Sequence, residues 1–286
     1  MSGRGNMVEL PHGLFDEDGV CHRAAVLRPV TGHEELLLAG PDAAPQAVSE
    51  LLAATLEQVG EYDRVDPGLA GALTRGDRQF LVLQLRAAMY GDRIPLILRC
   101  ASPACRALSD VDIRISEVVP PGAPPTSPWI DCDTPSGPAR VRAPTGADDD
   151  ATADGDRADR AARLWARLVL LDGGALAPGA WRALPAPTRH AIALALADGA
   201  RAPELVYLAR CPTCAAGLEI VLDPFSLLAR ELRSGGDRLL AEVHALAFHY
   251  HWSEGEIFAL PRTRRWRYLQ LLARELEGRP LLDGWS

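Results

Sequence analysis

The sequence predicts an α+β fold in which two repeated helix, strand and cysteine-knuckle units share one zinc ion, forming a split zinc ribbon. Three observations predict it. Cys100 and Cys105 form one close pair, and Cys211 and Cys214 form another. Each pair follows an arginine, with an apolar strand-like run before it and another after it. The order helix, glycine, strand, Arg-Cys, knuckle, strand also occurs twice, about 110 residues apart, which is the mark of an internal repeat.

The expected organisation has five parts: an N-terminal hairpin and arm (1–40), a first helix and knuckle unit (41–119), a proline- and aspartate-rich linker with strands (120–159), a second unit (160–223) and a C-terminal helical region (224–286). The chain has 286 residues, 48% of them hydrophobic, so it can bury a core, but only 6% are aromatic. The formal charge of −8 opposes tight non-specific binding to nucleic acid or an anionic membrane, because phosphate affinity scales with clustered cations. All 30 cations are arginine, which reads as coding bias. No apolar run approaches the roughly 18 residues of a spanning helix, and the first residues lack the apolar core of a signal peptide. A cytoplasmic protein is expected, and in a reducing cytosol close cysteine pairs suggest metal or redox chemistry rather than a disulfide framework.

Taken in order, two alternating runs between residues 8 and 30 flank a turn ending in Gly19, a hairpin signal. Thr31 caps a helix with Glu34 and Glu35 in its first turn, running to Ala39. After the break at Gly40 to Asp42, the spacing of Val48, Leu51, Leu52, Thr55, Leu56 and Val59 predicts an amphipathic helix over 45–60. A helix opened by Asp77 ends near Gly91. Strands follow at 94–98 and 108–115, the second with apolar residues at every other position. Five prolines between 120 and 128 forbid a helix. Residues 130–133 and 139–143 suit paired strands, the acidic run 148–159 a solvated loop rather than a cation site, and 160–171 a helix. The second unit has a helix over 188–197, Gly199 as its C-cap, and strands at 205–209 and 218–222. Helices over 223–232 and 239–251, a short one capped by Ser253 and Glu256, and a last one starting at Pro261 complete the chain.

Four thiolates from Cys100, Cys105, Cys211 and Cys214 would give a closed tetrahedral shell, structural rather than catalytic because no position is left for water. The 105 residues between the pairs exceed the roughly 15–20 of an ordinary ribbon, and the repeat is what would bring them together. Metal-free relic knuckles and a redox pair at Cys211 and Cys214 stay open, although a redox cysteine prefers a helix N-terminus and here a strand follows. His244, His249 and His251 lack ligand-spaced acids and read as a packed helix end. Arg262, Arg264, Arg265 and Arg267 with Trp252, Trp266 and Tyr268 form a basic aromatic patch. It suits an acidic protein partner, with nucleic acid the alternative that the net charge disfavours. No phosphate-cradling loop, nucleophile elbow or zincin motif occurs, so no catalytic residue or small-molecule substrate is expected.

Short segments spread over the chain resemble a known family: Leu10–Gly13, Leu27–Glu35, Gly76–Leu81 through Arg93, both Arg-Cys knuckles, Arg142–Asp148, His249–Ile257 and Leu260–Arg262. They look like the baseplate, or tail hub, assembly proteins of contractile phage tails, most of all the version in extracellular contractile injection systems. The resemblance implies a non-enzymatic baseplate component or assembly chaperone, built in the cytosol, with other baseplate and tail proteins as partners. The zinc expectation comes from the cysteines themselves.

Overall fold

The computed structural model describes residues 5–39, 46–118, 123, 125–233 and 236–277. Strands β1 (Asn6–Phe15) and β2 (Cys21–Leu27) form the expected antiparallel hairpin, whose turn is closed by the Val20 N–H donating to the Asp16 carboxylate. Helix α1 (Gly32–Ala39) follows. Helix α2 (Gln46–Thr55) stops five residues before the expected end, and Leu56–Val59 becomes β3, paired with β2. The reason is physical: apolar spacing of three and four buries Leu56 and Val59 either way, but the open edge of β2 takes up their backbone groups. The expected break at residues 40–42 lies outside the described residues.

Helix α3 (Pro67–Ala72) is capped by Asp66, and α4 (Arg75–Tyr90) by Thr74. The buried Asp77 on α4 accepts the backbone N–H groups of His12 and Gly13 at 2.8 and 3.1 Å, and the Thr74 hydroxyl at 2.8 Å. These bonds sit where β1 bulges, so one carboxylate satisfies the N–H groups that the ladder drops. Leu10, Leu27, Leu38, Leu51, Leu52, Leu73, Leu81 and Leu85 make this first core.

Strands β4 (Arg93–Arg99) and β5 (Leu108–Arg114) pair in full antiparallel register. Of the expected proline linker, residues 119–122 and 124 lie outside the described residues. Strands β6 (Trp129–Thr134) and β7 (Gly137–Arg142) pair as expected, followed by α5 (Gly146–Ala151) and α6 (Arg157–Leu168). The helix expected over 160–171 gives way at Val169, where β8 (Val169–Leu171) pairs with β7 and then with β9 (Gly174–Ala175) in a four-stranded sheet.

The acidic run is not simply a solvated loop. Asp148 is 1% exposed, completes a capping box with Thr145, and accepts Arg142 at 2.6 and 2.9 Å and Arg167 at 2.9 Å. Burial alone would raise its carboxyl, but the two guanidiniums and the Thr145 N–H hold it well below the usual carboxylate range.

Helices α7 (Ala180–Ala183) and α8 (Ala186–Gly199) cover this sheet, with Trp181 stacked on Trp165 at 4.5 Å. Gly199 is the last residue of α8 rather than its cap, and a Cβ there would lie 2.7 Å from Ile130. Strands β10 (Val206–Arg210) and β11 (Gly217–Val221) form the second knuckle hairpin.

The repeat is therefore confined to the hairpins. Helix α4 lies in the first core, whereas α8 packs on β6 and β7, so the helices before the two hairpins occupy unlike places. The inner faces of both hairpins meet in a second core of Ile94, Ile113, Ile220 and Leu222, completed by Leu83 of α4.

Helices α9 (Pro224–Arg233), α10 (Gly236–Tyr250), α11 (Glu254–Phe258) and α12 (Arg262–Leu276) follow. Leu228 and Leu232 of α9 enter the first core, and Ser253 and Glu256 form the expected capping box. The basic aromatic patch is only partly a surface. Arg265 is fully buried, donating to Glu35 at 2.6 Å, Glu242 at 3.1 Å and the Leu260 carbonyl at 2.7 Å. Arg262 lies over the Tyr90 ring at 4.7 Å and also reaches Glu35, and Trp252 and Tyr268 meet edge to face at 4.9 Å. Of the expected partner-binding set, Arg264, Trp266 and Arg267 face solvent. The acids that engage Arg262 and Arg265 come from α1 and α10. No described helix is long and apolar enough to cross a membrane.

Two predictions follow from these ion pairs. Arg265→Met removes the buried guanidinium shared by two carboxylates, leaving Glu35 only Arg262 and Glu242 only Arg238 among the described residues, and should lower the unfolding free energy by about 3 kcal/mol in urea denaturation; a loss under about 1 kcal/mol would contradict this account. The contribution of Asp148 is present above its unfolded pKa, near the ordinary carboxylate value of about 4, and is lost as pH falls through its lower folded value. Asp148→Asn should therefore be destabilised at neutral pH, with the gap from the parent closing on acidification; a gap independent of pH would refute it.

Candidate metal centre

Each knuckle is a turn between two paired strands. In the first, the Cys100 N–H donates to Ala107, and the Cys105 and Arg106 N–H groups donate to Ser102. In the second, the Cys211 N–H donates to Ala216, and the Ala215 N–H to Cys211. The residue after the second cysteine is left-handed in both, Arg106 with φ 54° and Ala215 with φ 58°. Neither is glycine, although that backbone region favours one. The same turn is thus built from four intervening residues in one copy and two in the other.

The two turns meet. Cys100 Sγ lies 3.6 Å from Cys214 Sγ, Cys105 Sγ lies 3.8 Å from Cys211 Sγ, and all four sulfurs fall within 4.8 Å of one another. A tetrahedron with zinc–sulfur bonds of about 2.3 Å has edges of about 3.8 Å. Both distances fit such an edge and are far too long for a disulfide bond of about 2.05 Å. Among the described residues this is the one group of three or more histidine, cysteine or acidic side chains placed to hold a metal ion. No known protein family, curated protein or solved structure matches the chain. The centre therefore rests on its own geometry.

Cys100 and Cys211 are buried, Cys105 half-buried and Cys214 exposed. Leu218, Ala107, Ala209 and Ala216 surround the sulfurs with apolar groups. The Ser102 N–H favours a thiolate at Cys100, yet burial and the three neighbouring sulfurs outweigh it and push that thiol up to about 12. At Cys105 the Ala107 N–H and the Cys100 sulfur favour the thiolate, but burial and the sulfurs of Cys214 and Cys211 overcome them and raise the thiol. At Cys211 the N–H groups of Cys214 and Thr213 prevail and bring it down to about 6. Four like charges this close cannot coexist in a poorly solvated pocket, whereas a divalent cation at their centre would stabilise all four.

Cys21 and Cys132 lie elsewhere, both raised chiefly by burial, and the Cys21 thiol donates to the His12 carbonyl at 3.6 Å. His244, His249 and His251 are exposed, the first two beside the 67% exposed Phe248 ring, so the packed helix end expected of them is made by Tyr250 and Trp252 instead. The four clustered cysteines were legible in the sequence. The left-handed turn residues were not, since neither arginine nor alanine signals that conformation.

That conformation gives a test. Ala215→Gly should raise thermal stability by up to about 1 kcal/mol by relieving the left-handed strain, and Ala215→Val should lower it. The reverse order in melting experiments would show that the turn is not strained.

Proposed function

We propose that this chain is a non-enzymatic scaffold, a structural component or assembly chaperone of a phage-tail-like contractile baseplate, held in shape by one structural zinc ion. The observation that carries the scaffold reading is the convergence of four sulfurs from hairpins more than 100 residues apart, with spacings of a tetrahedral site. Such a pair of hairpins is a zinc ribbon split between distant segments. Zinc there supplies a crosslink, because four thiolates fill its coordination shell and leave no place for a substrate. The hairpins are short and two-stranded, an arrangement that is marginal alone, so a metal clip would contribute directly to folding. The baseplate reading rests on the segments that resemble tail hub assembly proteins, and partners would be other baseplate and tail proteins.

Purified protein should carry one zinc per chain by elemental analysis, and Cys211→Ser should lose the metal and melt at a lower temperature. Unchanged metal content and unchanged melting in that variant would overturn the zinc clip. Deleting the gene from a cell that makes contractile particles should leave sheaths and tubes without assembled baseplates; intact particles would overturn the baseplate reading.

A further inference from the structure

The knuckle end carries three arginines without an ion-pair partner among the described residues. Arg99, Arg106 and Arg210 are each bonded in sequence to a cysteine of the cluster, so the three guanidiniums share one end of the paired hairpins. All three are exposed, and among the described residues none is in an ion pair, none donates to a sulfur, and Arg99 reaches the Arg106 carbonyl at 3.4 Å. No acid occurs in residues 99–107 or 209–217, and the nearest in register, Asp110 opposite Ile97 and Glu219 opposite Leu208, do not pair with them. A zinc tetrathiolate carries two negative charges, so three arginines leave this end positive on a chain of net charge −8. Arg106 moreover sits in the left-handed turn, where an arginine is costlier than a glycine.

Apolar side chains flank these cations. Leu208, 83% exposed, lies two residues before Arg210 on the outer face of the second hairpin, whereas Leu108, 59% exposed, stands opposite Arg99 on the outer face of the first, turned away from the second. The hairpins offer no aromatic face there, since Tyr207 turns inward to the second core. Single-stranded nucleic acid gains much of its affinity from base stacking on aromatic rings, so guanidiniums beside aliphatic groups favour a protein instead.

We propose that the knuckle end is a docking tip for an acidic protein surface, with carboxylates meeting Arg106 and Arg210 and an apolar strip meeting Leu208 on the outer face of the second hairpin. This deepens the scaffold reading and rests on it: the clip would fix the spacing of Arg106 and Arg210, which a partner reads. It also moves the expected partner site away from α12, where Arg265 and Arg262 are already engaged by Glu35.

The test is fluorescence anisotropy of zinc-loaded protein with two labelled probes, a peptide alternating glutamate and valine and an oligothymidylate. The peptide should bind, more weakly at high salt. Arg106→Glu, Arg210→Glu and Leu208→Ser, all on exposed side chains, should each weaken it roughly tenfold or more. Arg264→Glu with Arg267→Glu should leave it unchanged. Absent peptide binding, equal binding by the tip variants, or tighter binding of the oligonucleotide would overturn the proposal. Metal content and melting are measured for every variant, so loss of peptide binding with zinc retained belongs to the docking tip. Absence of zinc from the parent protein would defeat the clip alone, and the peptide comparison would still decide the tip.

Discussion

Four sulfurs from two segments distant in sequence lie within 4.8 Å of one another, and the packing of the hairpins that carry them is arranged around that meeting point. Two short hairpins, each with only two strands, approach with their inner faces forming a shared core and their turns meeting at the cysteines. Neither hairpin has enough apolar surface to be stable alone. Their mutual packing needs both a greasy interior and a fixed end, and the sulfur cluster supplies the end. Helix α4 ties this arrangement to the rest, with Leu83 facing the hairpins while Leu81 and Leu85 face the first core.

Charge does comparable work elsewhere, through few and well-buried groups. Asp77 holds the bulge of β1, Asp148 gathers Arg142 and Arg167, and Arg86 reaches Glu231 at 2.9 Å while also donating to the Gly91 and Arg93 carbonyls at the end of α4. Each is a buried ion that would be costly without its partners, so each narrows the ways in which neighbouring elements can sit. Arginine suits these places because its planar fork can satisfy several acceptors at once.

The sequence made the local chemistry readable and hid what depended on distant partners. Knuckle strands, the first hairpin and the Ser253 cap follow from alternation and capping rules that act within a few residues. Leu56 and Val169 defeated the same rules, because apolar periodicity cannot tell a helix end from a strand that finds an open sheet edge. Arg265 looked like a surface cation among others; only the fold brings Glu35 and Glu242 to it. The helices preceding the hairpins resembled one another in order and length, yet they pack in different cores, so likeness along the chain did not mean likeness in space.

The Glu35–Arg265 contact spans 230 residues and so bears on the order of events during synthesis. When α1 leaves the ribosome, the cation that will neutralise its buried acid has not yet been translated. Until α12 emerges, that acid lacks the guanidinium that receives it in the finished fold, and water is its better solvent. Maturation of the N-terminal region is thus coupled to completion of the C-terminal helix, and a nascent chain stalled before residue 265 would hold its beginning open.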